Sequence, residues 1–147
     1  MSHQKKGLLR NTIDKFYTND LTCKLCYKYI LEKLDIDKKN DIIIEPSAGN
    51  GSFIKVIKSL CNNYIFMDIE PEHHEIKKQD FLSFNFGELK KKYRKIHIIG
   101  NPPFGRQSSL VVKFIKYSSN FCDSISFILP KSFKKDSMRS KFPLNFH

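Results

Sequence analysis

The chain has 147 residues, of which 40% are apolar, so it is long enough to bury the core of one domain, and disorder throughout is excluded. Its 26 basic and 15 acidic side chains leave a net charge of +11, which favours a polyanionic partner, with nucleic acid first, although a lysine-rich composition alone would give the same charge. No apolar run could span a bilayer, the N-terminus lacks the apolar core of a signal peptide, and cysteines scattered through a lysine-rich chain are typical of an intracellular protein, cytoplasmic or nuclear rather than secreted.

Helical and extended patterns alternate along the chain. Apolar residues at three- and four-residue spacing predict a helix over residues 21–34, and similar patterns predict helices at 53–60 and 108–121 and a helix or loop at 86–95. Short apolar runs predict strands at residues 41–46, 64–71, 73–81, 95–100 and 123–133. Strands that alternate with helices indicate an α/β fold with a mostly parallel sheet of about five strands flanked by helices.

A glycine-rich loop, SAGNGS, follows the first strand and its last residue, Glu45. In parallel sheets this loop is the usual place for a nucleotide-like ligand, and Gly49 and Gly51 would let the backbone approach one. The loop is neither a GxGxxG nor a P-loop pattern, and Glu45 favours a cationic ligand or an amino group over a pyrophosphate. A plain strand–helix turn would also use such glycines.

Two further acidic residues end predicted strands. Asp68 closes the second strand, at the place where a carboxylate can hold a ribose diol. Asp80 closes the third strand and precedes Phe81, so the pair could accept from an adenine amine and pack beside its ring. Either acid alone would be explained as a helix cap or a surface charge. Together with the glycine loop they predict one ligand site at the carboxyl ends of the strands.

The segments EPSAGNG, MDIEP, QDF and GNPPFG, in this order, resemble the motifs of class I S-adenosylmethionine-dependent methyltransferases. More narrowly, they resemble amino-methyltransferases with an Asn/Asp-Pro-Pro-Tyr/Phe motif, chiefly the adenine-specific nucleic acid methylases. DKFYT, residues 14–18, resembles the N-terminal cofactor motif of the branch in which the cofactor motifs precede NPPF. The resemblance covers roughly residues 14–130 and implies a Rossmann-like fold with S-adenosyl-L-methionine as cofactor and no metal.

The resemblance also implies a role for each motif. The residues that it assigns to the cofactor are Phe16, Tyr17 and Thr18 beside the methionine part, Glu45, Ser47, Gly49 and Gly51 in the loop, Asp68 and Ile69 at the ribose and adenine, and Asp80 and Phe81 at the adenine. The residues that it assigns to the target amine are Asn101, Pro102, Pro103 and Phe104.

The NPPF corner, residues 101–104, suits an amine acceptor. Two consecutive prolines end a strand because neither can donate to the ladder, and they stiffen the corner. An adenine amine has two N–H donors, which the side-chain carbonyl of Asn101 and the backbone carbonyl of Pro102 could accept. Phe104 offers a ring on which the base could stack, and a base in a duplex would have to be flipped out. Positioning then carries most of the rate, and no general base is required.

A full member of this family has more strands than the five predicted here. We therefore interpret residues 1–147 as a single methyltransferase domain without a target-recognition domain. The outer edge of the last strand, DSISFILP, is expected to be covered by a second copy of the chain or by a partner subunit. Two alternatives to a nucleic acid methylase stay open: methylation of a glutamine amide in a protein, and a catalytically silent cofactor-binding subunit.

Three other features are interpreted without a ligand. CKLC, residues 23–26, is a single CxxC without a second pair, so zinc is not expected. His73 and His74 have no partner motif for a metal. KKKYRK, residues 90–95, is predicted to be a solvated helix face, with phosphate contact as the minor alternative.

Overall fold

The structure is a computed structural model that describes residues 18–103, 105 and 109–129. The helices are Asp20–Lys33 (α1), Ile54–Leu60 (α2), Gly87–Lys92 (α3) and Ser109–Ser119 (α4), with a short 3₁₀ helix at Phe81–Ser83. The strands are Ile42–Glu45 (β1), Tyr64–Asp68 (β2), Lys77–Lys78 (β3), Ile96–Gly100 (β4) and Ser124–Phe127 (β5). Within these ranges no helix combines the length and the apolar character needed to cross a membrane.

The five strands form one sheet in the order β3-β2-β1-β4-β5, and all neighbouring strands are parallel. β1 lies in the centre, where Ile44 is opposite Ile65 of β2 and Ile98 of β4. The predicted α/β, Rossmann-like arrangement is therefore confirmed. Because the carboxyl ends of parallel strands meet at the same edge, the residues that follow β1, β2 and β4 are brought together there.

Apolar side chains cover both faces of the sheet, which explains why β1 and β4 are almost wholly apolar. Ile43 and Ile99 pack in a layer with residues of α1 and α2. Ile44 and Ile98 face the opposite layer, where Phe114 of α4 belongs to the core. The sheet is thus a central layer between two sets of helices.

Helix α1 matches its prediction in extent, but the sequence pattern did not identify its buried face. Cys23 and Ile30 are buried, whereas the stripe at four-residue spacing is exposed: Leu21 by 69%, Leu25 by 50% and Tyr29 by 63%. Tyr29 also lines an apolar groove of about 390 Å³ beside the β5 edge. α1 therefore carries an apolar surface that no residue of the described ranges covers.

β3 is shorter than the extended segment predicted over residues 73–81. The backbone N–H of Ile76 donates to the carbonyl of His73 at 3.1 Å, so the segment begins as a turn. Lys77 and Lys78, the two residues that pair with β2, are both exposed. Pairing with β2 is limited to these two residues, and Ile76, the buried apolar residue of the segment, lies in the turn before them.

An ion-pair cluster around the buried Asp41 lies at the opposite, amino-terminal edge of the sheet. Arg94 donates from Nε to Oδ1 of Asp41 at 2.8 Å and from Nη2 to Oδ2 at 2.9 Å. Nε2 of His97 lies 2.8 Å from Asp41 Oδ2, and Nδ1 lies 2.7 Å from Ser124 Oγ. Burial opposes the ionisation of Asp41, but the hydrogen bonds from Arg94 and His97 outweigh it and hold the pKa of Asp41 well below its usual range.

This cluster corrects one prediction. Lys90, Lys91 and Lys92 are exposed, as expected of a solvated helix face. Arg94 does not belong to that face, because α3 ends at Lys92 and the chain turns back toward β4. The interpretation of residues 90–95 as one solvated face is therefore wrong for Arg94.

Candidate functional site

The loop after β1 adopts a backbone conformation that its glycines permit. Gly49 has φ of 58° and Gly51 has φ of 88°, both in the left-handed region that favours glycine. The backbone N–H of Gly49 donates to Oδ2 of Asp68 at 2.8 Å. A Cβ atom added at Gly51 would lie only 2.8 Å from Cδ1 of Ile54. The loop is therefore held against the end of β2, and Gly51 is the more crowded of its two glycines.

Asp68 ends β2 and is 3% exposed. Besides the bond from Gly49 to Oδ2, the backbone N–H of Glu70 donates to Oδ1 at 2.8 Å. Because both oxygens accept backbone N–H groups, the orientation of the carboxylate is fixed. Asp68 thus joins the glycine loop to the segment that follows β2.

Glu45, the last residue of β1, is 1% exposed, and its Oε1 has no hydrogen-bond partner in the part of the chain that the structure describes. Its side chain lies against Gly100 of β4, where an added Cβ would be 3.2 Å from Glu45 Cγ. Burial and, after it, the charge of Asp68 raise the pKa of Glu45 well above its usual value. The sequence did not reveal that Gly100 leaves the space for this carboxyl group.

A cavity of about 210 Å³ opens at this edge of the sheet. The residues predicted for the site that line it are Ser47, Asp68, Ile69, Asp80, Phe81 and Pro103. The lining residues that the sequence did not indicate are Pro46, Leu82, Leu110 and Phe114. The fold therefore brings together residues from the ends of four strands that are far apart in the chain.

Asp80 and Phe81 each have a structural role in addition to their place in the cavity. Oδ1 of Asp80 accepts from the backbone N–H of Leu82 at 3.0 Å and so caps the 3₁₀ helix. Phe81 is 1% exposed, and its ring centroid lies 5.0 Å from that of Phe114 and 5.6 Å from that of Phe86. Phe81 therefore belongs mainly to the core and offers the cavity only part of its surface.

The corner after β4 contacts the start of α1. Nδ2 of Asn101 donates to Oγ1 of Thr18 at 3.3 Å. Pro102 is buried, and Pro103 is half-buried and lines the cavity. Thr18, predicted to lie beside the cofactor, thus contacts the residue predicted to receive the amine.

The other predicted residues of this region, Phe16, Tyr17 and Phe104, lie outside the described residues. Their assignment to the site stays a prediction.

The segment after β2 contributes a contact that the sequence did not reveal. His73 packs against the glycine loop, since a Cβ added at Gly51 would lie 3.1 Å from its ring. The ligand atoms of His73, His74 and Glu75 lie within 4.8 Å of one another, but Glu75 is paired with Lys58 at 2.5 Å. As it stands, this group is a salt-bridge cluster. The sequence showed no partner motif for the two histidines, and so gave no sign of this contact.

Comparisons with known proteins give a consistent result. No family model matches the chain. The chain is 31% identical over 108 residues to ribosomal RNA small subunit methyltransferase A of Francisella tularensis subsp. novicida (strain U112), which covers 64% of this chain and 41% of the relative. The proteins of the same name from subsp. tularensis (strain WY96-3418) and subsp. holarctica (strain FTNF002-00 / FTA) are 30% identical over the same length, with the same coverage.

The chain spans about two fifths of the length of the curated relatives that it matches, with 41% of each relative covered. The Rossmann-like sheet and this similarity together support the interpretation of the chain as a class I S-adenosylmethionine-dependent methyltransferase, the class that its motifs resemble.

Proposed function

We propose that the chain binds S-adenosyl-L-methionine and transfers its methyl group to the exocyclic amine of adenine in a nucleic acid, with RNA as the first candidate. The observation that carries this proposal is the single cavity that Ser47, Asp68, Asp80 and Pro103 share at the carboxyl edge of the sheet. These residues lie at or just after the ends of four different strands, so a chance meeting of unrelated loop residues is a poor explanation.

The described residues suit this cofactor in three respects. Gly49 and Gly51 both take positive φ, and because an added Cβ at Gly49 would meet nothing within 4 Å, the loop backbone there is open to a ligand. Asp68 is an oriented carboxylate at the place where a ribose diol would be held. Glu45 is a buried carboxyl group with an oxygen that lacks a partner in the described ranges, which suits an ammonium group. When bound, the cofactor supplies an electrophilic methyl group on a sulfonium.

The corner at Asn101 suits the acceptor amine. Because Nδ2 of Asn101 donates to Thr18, the side-chain carbonyl is turned away from Thr18 and would accept one N–H of the amine. The backbone carbonyl of Pro102 would accept the other N–H. The lone pair of an adenine amine is delocalised into the ring, and two acceptors that are fixed before the substrate arrives would favour a nitrogen with more localised electron density.

RNA is preferred to DNA and to protein because of the relatives and the charge. The relatives described above are named ribosomal RNA methyltransferases. A net charge of +11 favours a polyanionic substrate over a glutamine side chain. DNA remains the second nucleic acid candidate, because the corner would contact the base rather than the sugar.

The experiment that tests the proposal is transfer of a tritiated methyl group to RNA, to DNA and to protein, each with the wild-type chain and with Asn101→Ala. We expect label in RNA as N-methylated adenine and its loss with the variant. Label in protein would favour the glutamine alternative. Cofactor binding without label in any substrate would favour a silent subunit, and the absence of cofactor binding would contradict the proposal altogether.

A further inference from the structure

Two carboxyl groups at the carboxyl edge of the sheet lie in opposite surroundings. Asp68 accepts backbone N–H groups on both oxygens, from Gly49 and from Glu70, each at 2.8 Å. Glu45 is the more deeply buried of the two, with 1% exposure against 3%, and its Oε1 has no donor among the described residues. An ionised carboxylate in such a place would have neither water nor a hydrogen bond at Oε1, which is a costly arrangement.

Among residues 18–103, 105 and 109–129, the groups that face Glu45 do not offset a negative charge. From β2 comes Asp68, a second carboxylate, whose charge adds to the effect of burial. From α1 comes Cys23, whose pKa is raised to about 11, first by burial and then by the charges of Cys26, Glu45 and Asp20, so its thiol is neutral at pH 7. From β4 comes Gly100, which has no side chain.

The histidine that packs against the glycine loop is not paired with Glu45 either. His73 packs on Gly51, and no ion pair joins it to Glu45 in the described part of the chain. A carboxyl group that is buried beside another carboxylate, without a cation, is stable when it carries a proton.

We propose that Glu45 is a neutral carboxylic acid in the cofactor-free protein, and that it gives up its proton when the ammonium group of the cofactor's methionine part binds next to it. This inference rests on the proposed function, because it takes S-adenosyl-L-methionine as the ligand. The exchange is balanced: the acid Glu45–COOH becomes Glu45–COO⁻ beside the ligand ammonium, and the proton passes to the buffer. No covalent bond to carbon forms or breaks.

The ammonium group of the ligand would reverse the electrostatic surroundings of Glu45. A positive charge that enters a water-poor site favours the ionised form of a nearby carboxyl group. Binding of each ligand that carries the ammonium group should therefore release about one proton from the protein. The affinity of the protein for such a ligand should rise up to about tenfold per pH unit while Glu45 is protonated in the free protein. A ligand without this group should release none.

Calorimetry in buffers of different ionisation enthalpy measures the number of protons released. The probes are S-adenosylhomocysteine, which has the ammonium group, and 5′-methylthioadenosine, which lacks the amino acid part. We expect about one proton for the first and about none for the second. Glu45→Gln should abolish the release with S-adenosylhomocysteine, and Glu88→Gln, whose carboxylate is 91% exposed on α3, should leave it unchanged.

A measurement without ligand tests whether Glu45 is protonated in the cofactor-free protein. The infrared band of a protonated carboxylic acid should be present in the free wild-type protein at neutral pH, should shift in protein labelled at the glutamate carboxyl carbon, and should be lost in Glu45→Gln. If Glu45→Gln does not fold, the labelled wild-type protein still shows whether a carboxylic acid is present, and the comparison of the two ligands still shows whether the ammonium group releases its proton.

The outcomes separate this inference from the proposed function. Binding of S-adenosylhomocysteine without proton release, or a free protein without the acid band, overturns the inference and leaves the proposed function standing. Binding of neither ligand overturns both. A release of the same size with 5′-methylthioadenosine would assign the proton to another group and overturn the role of the ammonium.

Discussion

Asp41 and Arg94, 53 residues apart in the chain, form a bidentate ion pair in which both carboxylate oxygens accept from the guanidinium, at 2.8 and 2.9 Å. His97 adds a third contact to the same carboxylate at 2.8 Å. Asp41→Asn keeps the shape but removes the charge and replaces one acceptor oxygen with an NH₂ donor, so Arg94 and His97 could no longer both be satisfied. We expect a loss of about 2–4 kcal/mol in the free energy of unfolding, measured by urea denaturation.

The pH dependence of the same variant provides a second readout. Because the pKa of Asp41 is depressed in the folded protein, its contribution is present above the unfolded value of about 4 and is lost as the pH falls toward the depressed value. Asp41→Asn should therefore remove part of the stability loss of the wild-type protein below about pH 4. Glu88→Gln removes a carboxylate that is 91% exposed and should change little. Equal effects of the two variants would contradict a structural role for the buried pair.

Gly51→Ala and Gly49→Ala form a matched pair in the glycine loop. A Cβ at Gly51 would lie 2.8 Å from Ile54, whereas at Gly49 it would meet nothing within 4 Å. Both positions have positive φ, so Gly49→Ala should cost about 1–2 kcal/mol, and Gly51→Ala should cost about 2–4 kcal/mol and weaken cofactor binding as well. Thermal unfolding with and without S-adenosylhomocysteine measures both effects. A greater loss of stability for Gly49→Ala than for Gly51→Ala would show that crowding at Gly51 does not determine how well the loop tolerates a side chain.

Asn101→Ala should separate chemistry from cofactor binding. The side chain is predicted to receive the amine rather than the cofactor, so affinity for S-adenosylhomocysteine should stay nearly unchanged. Methyl transfer should fall roughly 10²–10³-fold, as for other preorganised hydrogen-bonding groups at a reaction centre. Asn62→Ala, an exposed position before β2, is the matched control and should keep full activity. Loss of cofactor binding with Asn101→Ala would make Asn101 a structural residue.

Thr18 is predicted to position Asn101. Thr18→Val removes the hydroxyl that accepts from Asn101 Nδ2 at 3.3 Å but preserves the volume of the side chain. One neutral hydrogen bond contributes about 1 kcal/mol, so kcat should fall about fivefold while KM for the cofactor changes less. Thr18→Ser restores the hydroxyl and should restore kcat. If Thr18→Ser is as slow as Thr18→Val, the hydroxyl is not the group that matters.

The β5 edge is predicted to be covered. In the described part of the chain β5 pairs only with β4, and residues 124–129 contain no charge. An apolar groove shared by Tyr29 and Ile128 runs beside this edge. We expect a second copy that pairs through a two-fold axis, or a partner subunit, because an uncharged open edge favours strand addition. Light scattering at micromolar concentration gives the mass, and amide exchange over residues 124–129 gives the protection.

A monomer with rapidly exchanging amides at residues 124–129 would show that the edge stays open. A monomer with protected amides would mean that the chain covers its own edge.

The sequence was a good guide to the sheet and to the acids at its carboxyl edge. Asp68 and Asp80 could be located because each ends an extended run, and parallel strands end at a common edge. The exposed stripe of α1 could not be separated from its buried face, since Leu21 and Cys23 both belong to apolar patterns at helical spacing. The Asp41–Arg94 pair could not be found either, because nothing local in the sequence indicates a partner so far along the chain.

The central position of β1 has a consequence for the order in which the protein folds. Ile42 of β1 pairs with Ile96 of β4, although β2 and β3 lie between them in the chain. Parallel pairing over such a distance is a slow step, because a long loop must close before the contacts form. The glycine loop and the Asn101 corner lie on the two strands that this step joins. A ligand that touches both would bind only after the sheet has closed, and would then slow its opening, so the bound protein should unfold more slowly without folding any faster.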